Sequence, residues 1–388
     1  MGSSSVSIPS LDDLMGAASR DAGLSDFGSA SFRSGFERFL QSLAEDAQLP
    51  AEALGPTLAT LQRRLTNRLH VERWYAEHPE ISRVPVTGPV AITGIPRSGT
   101  TALADMMSLD PQFRPLRGWE QRQPCPPPVA GEEHDDPRRL EAIRNHELMR
   151  VERPEQLAMH LWDVDATTED TDVLGMEGRA QSAVVPVTGY HRWWREQPMV
   201  EAYHYHHRIA QLLHSRRPPT TWLFKSPHMS FHLEDFVAAY PGARFVLTHR
   251  DPAKAVPSWV SFVSSLFPPG TMKTIDTKAY GRHLAEHLAV GTERSIESRR
   301  RLGDERFYDL HQHDFAADPM GTVERIYEWL GRELTPEVRA AMEAWSHENR
   351  SGAHGAHQYA PEDFGLDEAE LRDRFRPYIE RFGVRAAG

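Results

Sequence analysis

Apolar residues early in the chain recur at helical spacing. Leu54, Leu58, Leu61 and Leu65 follow one stripe with Pro56 near its start, and the pattern predicts helices from Ser34 to about His78. Residues 1 to about 30 mix Ser, Gly, Ala and Asp with little periodicity, which predicts a poorly ordered lead-in. Beyond the helical region the period changes. Residues 84–89 break the pattern, and Val90-Ala91-Ile92 reads as a strand that meets Gly94 and gives way to a helical stretch carrying Leu103, Met106 and Met107. Three further strand-like runs, at 221–224, 244–248 and 306–310, each precede helical periodicity, as in Val323, Ile326, Tyr327 and Leu330. Strands alternating with helices predict an α/β fold of three layers with a central parallel sheet, and ligands bound beyond the carboxyl ends of its strands. The expected division is 1–84 for the lead-in and helical extension and 85–388 for the α/β domain. A Pro-rich run at 124–128 and a charged stretch at 132–139 suggest an exposed connection.

Charge and composition narrow the chemistry. Lys and Arg number 44 against 55 Asp and Glu, a net charge of −11, which argues against a general nucleic-acid or anionic-membrane binder, so any phosphate chemistry needs a local site. The single cysteine, Cys125, lies between Pro124 and Pro126. It permits no intramolecular disulfide and no Cys-based zinc site, and its thiol is expected to be inert in a reducing, cytoplasmic setting. No apolar run approaches the ~18 residues of a membrane span. Residues 1–6 have neither the basic start nor the apolar stretch of a signal peptide, and Val6 breaks the myristoylation pattern. Histidine is abundant, with His204, His206 and His207 close together and His283 and His287 one helical turn apart. Neither H-E-x-x-H spacing nor cysteine supports a metal, and none is expected. Tyr190, Trp193, Trp194, Tyr203 and Tyr205 are either an apolar wall for an acceptor or, as is commoner at such spacing, core.

Between the first strand and its helix lies Gly94-Ile95-Pro96-Arg97-Ser98-Gly99-Thr100-Thr101, which keeps the G-x-x-x-x-G spacing of a phosphate-binding loop. Backbone N–H groups at the helix start can cradle an anion. The Lys that would reach the β- and γ-phosphates of ATP is replaced by Thr100, and the basic residue sits inside the loop as Arg97, so a triphosphate is poorly served. After the 244–248 strand comes His249-Arg250-Asp251-Pro252, with Ser258 further on near the start of the next helix. An Arg at a strand end and a Ser about two turns along the helix can converge on one phosphate. The alternative is a structural Arg250–Asp251 ion pair.

Taken together, Pro96, Arg97, Ser98, Gly99, Thr100 and Thr101 with His249-Arg250-Asp251-Pro252 and Ser258 resemble the sulfotransferases that use 3′-phosphoadenosine 5′-phosphosulfate, the bacterial branch most closely. The resemblance runs from about Pro89 to the C-terminus and includes Trp119-Glu120, Lys225-Ser226-Pro227-His228 and Asp363-Phe364-Gly365. It implies that residues 96–101 hold the 5′-phosphosulfate and that Arg250 and Ser258 hold the 3′-phosphate. It also implies a sulfuryl transfer to the hydroxyl of a small-molecule or lipid-like acceptor. Lys225, at its strand end, would lie against the sulfonate or bridging oxygen. His228 is the preferred general base and Glu120 the competitor, since some family members use a carboxylate from that region. Two departures stand out. Gln312-His313-Asp314-Phe315 replaces the Tyr that many relatives carry toward adenine, and a Gly-rich segment from Arg350 to Tyr359 stands where cytosolic enzymes have Arg-Lys-Gly. A P-loop small-molecule kinase and a non-catalytic nucleotide-binding protein are the alternative functions.

Overall fold

The computed structural model describes residues 8–152, 163–181, 184–349 and 360–386; the first residues of the lead-in and the Arg350 to Tyr359 segment lie outside them. Five strands form one sheet: β1 (Val90–Gly94), β2 (Phe113–Pro115), β3 (Thr221–Lys225), β4 (Arg244–His249) and β5 (Phe307–His311). Their order is β2-β3-β1-β4-β5 and every pairing is parallel. The expected α/β architecture is therefore present. β2 escaped the hydrophobic pattern because a three-residue edge strand, Phe-Arg-Pro, is too short to show a period.

Period-two alternation sends neighbouring residues to opposite faces of this buried sheet. Ala91, Phe224, Phe245 and Leu247 join one apolar cluster with Leu284 and Leu288 of the helix Thr277–Leu302. Val90, Ile92, Leu223 and Val246 join a second with Leu103, Met106 and Met107, and with Val323, Ile326 and Tyr327 of the helix Pro319–Leu330.

The expectation of a poorly ordered lead-in is corrected. Leu11–Ala22 is a helix, α1, followed by α2 (Arg33–Glu45) and α3 (Ala51–Glu77). Ser10 Oγ accepts from the Asp13 amide at 3.1 Å and the Asp13 carboxylate accepts from the Ser10 amide at 3.0 Å, a capping box that outweighs the polar composition. Leu11, Leu14 and Ala18 then bury one stripe. The cluster they enter runs on to Val384, so the N-terminal helices and the α/β region share a core. Tyr190, Trp194, Tyr203 and Tyr205 belong to that core, which decides against the acceptor wall for these four.

No helix among the described residues is long and apolar enough to cross a membrane. Cys125 is buried, and burial pushes its thiol far above the ordinary range, so it stays protonated.

Candidate active site

The site forms where the carboxyl ends of β1, β3 and β4 meet the start of α4 (Thr100–Ser108). β1 ends at Gly94, whose φ of +132° favours glycine. It pairs with Thr248 so closely that an added Cβ would lie 2.3 Å from the Thr248 carbonyl oxygen. Gly94→Ala is therefore expected to cost about 1–3 kcal/mol of stability, read as a lower urea midpoint at unchanged slope.

The loop turns twice into the left-handed region, at Arg97 (φ +65°) and Gly99 (φ +93°). Ser98 faces inward: its hydroxyl donates to the Ile95 carbonyl at 2.5 Å and lies 2.6 Å from Thr248 Oγ1, fastening the loop to β4. Pro96 and Thr100 are buried, whereas Arg97, Gly99 and Thr101 are half-buried. Alternating backbone signs aim successive N–H groups into one concavity, an anion-binding shape that the start of α4 reinforces. Phe315, from the Gln312 to Phe315 run, packs over Gly99, where a Cβ would lie 3.3 Å from its ring.

Arg97, Arg250 and Ser258 come together. Arg97 Nε donates to Ser258 Oγ at 3.3 Å, and Arg250 Nη1 donates to the Arg97 carbonyl at 2.6 Å. Ser258 sits on the helix Pro252–Leu266, capped by Asp251, whose carboxylate accepts from the Ala253 amide at 3.0 Å and from Arg372 at 2.9 Å. Behind Arg250, the buried His249 bridges Tyr378 OH at 3.2 Å and Asp309 at 2.9 Å, and Tyr378 OH accepts from the Arg250 amide at 3.3 Å. Arg299 grips Asp309 with two donors, at 2.6 and 3.0 Å, and holds the carboxyl well below its usual range together with His249.

Lys225 closes β3 beside the loop, paired in register with Ile92 of β1. It is 2 % exposed, rare for a lysine, and its ammonium lies 3.5 Å from Glu169. Two buried carboxyls attend it. Burial pushes Asp105, on α4, up to about 8, with Lys225 opposing the rise. Burial likewise raises Asp170 to about 7 against a hydrogen bond from Ser226. Carboxyls so perturbed beside a buried cation are a common signature of a functional cleft.

The two candidate bases differ in setting. Glu120 is 0 % exposed; Arg114 Nη2 donates to one carboxylate oxygen at 2.7 Å and Arg117 Nη1 to the other at 3.5 Å, so both oxygens are engaged by arginines. His228 is half-buried in the turn Pro227–Phe231, on the same chain segment as Lys225, with Trp194 and Trp259 beside its ring. Burial pushes it down to about 4, offset in part by Glu169, so the imidazole is neutral near pH 7, and a weaker base there than a solvated imidazole. Among the described residues no group of three or more His, Cys, Asp or Glu side chains could hold a metal ion.

Residues 89–336 match the family model described as the sulfotransferase family. The chain belongs to that family. Over 130 residues it is 29% identical to the omega-hydroxy-beta-dihydromenaquinone-9 sulfotransferase Stf3 of Mycobacterium tuberculosis and of Mycobacterium bovis. The aligned stretch spans 32% of this chain and 32% of those curated relatives. Its structure is similar over 100% of both chains to sulfotransferase STF9 from Mycobacterium avium, with a TM-score of 0.88 and 29% identity. It is also similar to STF1 from Mycobacterium tuberculosis, with a TM-score of 0.84 and 27% identity over 95% of this chain and 99% of that one. The resemblance read from the two loops is thus confirmed at the level of family and fold. Sequence reasoning missed Asp105, Glu169, Asp170 and Tyr378. Asp105 hides among apolar neighbours on α4, and Glu169-Asp170 lies in a Thr- and Asp-rich run that has no period.

Proposed function

We propose that this sulfotransferase-family chain takes 3′-phosphoadenosine 5′-phosphosulfate as donor and passes its sulfuryl group to the hydroxyl of a small-molecule or lipid-like acceptor. The observation that carries this reading is the joining of Arg97, Arg250 and Ser258, which lets one ligand with phosphates at both ends of a nucleoside meet charge at each. Residues 96–101 would hold the 5′ end through their backbone N–H groups, and Arg250 with Ser258 the 3′-phosphate. The half-buried guanidinium groups and the glycine-lined concavity fit such a group. When bound, the donor supplies an activated sulfuryl group on a bisphosphate leaving group.

Lys225, at the end of β3 beside the loop, is the cation offered to the negative charge that grows on the leaving oxygen. His228 accepts the acceptor's proton as the new O–S bond forms and the S–O bond to the leaving phosphate breaks. Glu120, locked between two arginines, serves to hold the wall of the cleft. The lipid-like character of the acceptor draws support from Stf3, named for a hydroxylated menaquinone.

Calorimetric titration with 3′-phosphoadenosine 5′-phosphate tests the donor site. Binding without metal is expected, weakened by roughly 10–100-fold in Arg250→Ala, the loss of one charge-assisted hydrogen-bonding partner. Preference for ATP with magnesium, or an unchanged affinity in the variant, overturns it.

A further inference from the structure

Behind His228 the chain buries more imidazole than proton abstraction needs. His228, His287 and His283 form a continuous series of rings, with centres 6.1 Å apart for the first pair and 6.5 Å for the second. His283 and His287 project from one face of the helix Thr277–Leu302, a turn apart. His191, from the helix Thr188–Arg195, stacks on His283 at 5.6 Å. Phe231 and Trp194 enclose His287 at 4.6 and 5.9 Å.

Within this aromatic enclosure three ring nitrogens are buried without a protein hydrogen-bond partner: His228 Nδ1, His287 Nδ1 and His283 Nε2. Leaving a buried polar group unpaired is destabilising, and a Leu or Phe at 287 would avoid that cost at similar packing. Three partners are what a single buried water typically satisfies. His287 is also oriented from its far side. The side-chain amide of Gln181 lies 3.5 Å from His287 Nε2 and holds the ring from that side, whichever of the two groups donates.

We propose that His287 is a positioning residue for His228: a water held between the Nδ1 atoms of the two rings accepts from the Nδ1–H of His228 and fixes its ring and its tautomer, leaving His228 Nε2 unprotonated toward the acceptor hydroxyl. The inference rests on the reading of His228 as the base. His283 Nε2 is a further buried polar partner on the same face of the helix. The transfer step itself is unchanged; His287 gains and loses no proton in it.

Nitrogen-15 NMR of the full-length chain labelled at histidine, saturated with 3′-phosphoadenosine 5′-phosphate, tests this without an acceptor. The His228 signals are identified by their loss in His228→Gln. The expected result is a single Nδ1–H tautomer at His228 in the wild type. His287→Phe is expected to convert it to a mixture of tautomers, and His287→Gln, which keeps an N–H donor, to restore the single form. An Nε2–H tautomer in the wild type overturns the proposal with no variant required, as does an unchanged spectrum in His287→Phe. The reading of His228 fails separately. If His228→Ala transfers radiolabelled sulfate from the donor to dodecan-1-ol at the wild-type rate, His228 is not the base, whatever its tautomer.

Discussion

Lys225→Met is expected to lower kcat by roughly 10²–10³-fold while leaving affinity for 3′-phosphoadenosine 5′-phosphate within a few-fold of wild type. The Lys225 ammonium is withdrawn from water at the end of β3, and its near neighbours in the cleft are carboxyls: Glu169 at 3.5 Å, with Asp105 and Asp170 within electrostatic reach. A cation in so dry a place acts most strongly on charge that appears during the reaction, because little solvent competes with it. Methionine keeps the length and volume of the side chain, so the packing at the end of β3 is retained. Single-turnover rates under donor saturation measure the effect. A loss of bisphosphate affinity equal to the loss in kcat/KM would assign Lys225 to holding the nucleotide instead.

Glu120→Ala is expected to destabilise the fold by about 3–5 kcal/mol, among the largest single effects in the chain. The substitution removes the carboxylate that faces Arg114, leaving a guanidinium that is 1 % exposed and stacked 4.8 Å from the centre of Trp222. Burial already draws Arg114 down to about 10, with Glu120 working against that fall. Without it the arginine is a buried charge for which, among the described residues, the Pro115 carbonyl is left to accept. Chemical denaturation measures the loss. Wild-type stability combined with abolished turnover would show that the carboxylate acts on substrate after all.

How far the sequence carried the reading depends on the kind of signal each part leaves. The β1 loop was legible because glycine at 94 and 99 and a helix start must occur at fixed spacing for a backbone to wrap an anion. Arg250 and Ser258 were legible as a strand end and a helical offset. Their union with Arg97 was not, since a contact across 161 residues between Arg97 and Ser258 leaves no local trace. The burial of Glu120 was likewise hidden: the sequence shows Arg117 beside it, yet the dominant partner, Arg114, comes from β2, the strand that the periodicity overlooked. α1 was misread for a related reason. Two reciprocal hydrogen bonds at its cap and three apolar contacts decide its state, whereas composition averages over them.

The hydrogen bond from Arg250 to the Arg97 carbonyl makes the gap between the two anion positions a fixed gauge rather than an adjustable one. A ligand is measured from end to end, and neither end can shift to accommodate a shorter or longer molecule without breaking that link. On the proposed reading, a nucleotide phosphorylated at the 5′ position alone would fill one end and forgo the charge-assisted contacts that Arg250 and Ser258 offer a 3′-phosphate. Discrimination against the abundant adenine nucleotides of a cell would then need no dedicated repulsive group, because a ligand that engages both ends gains contacts that they lack.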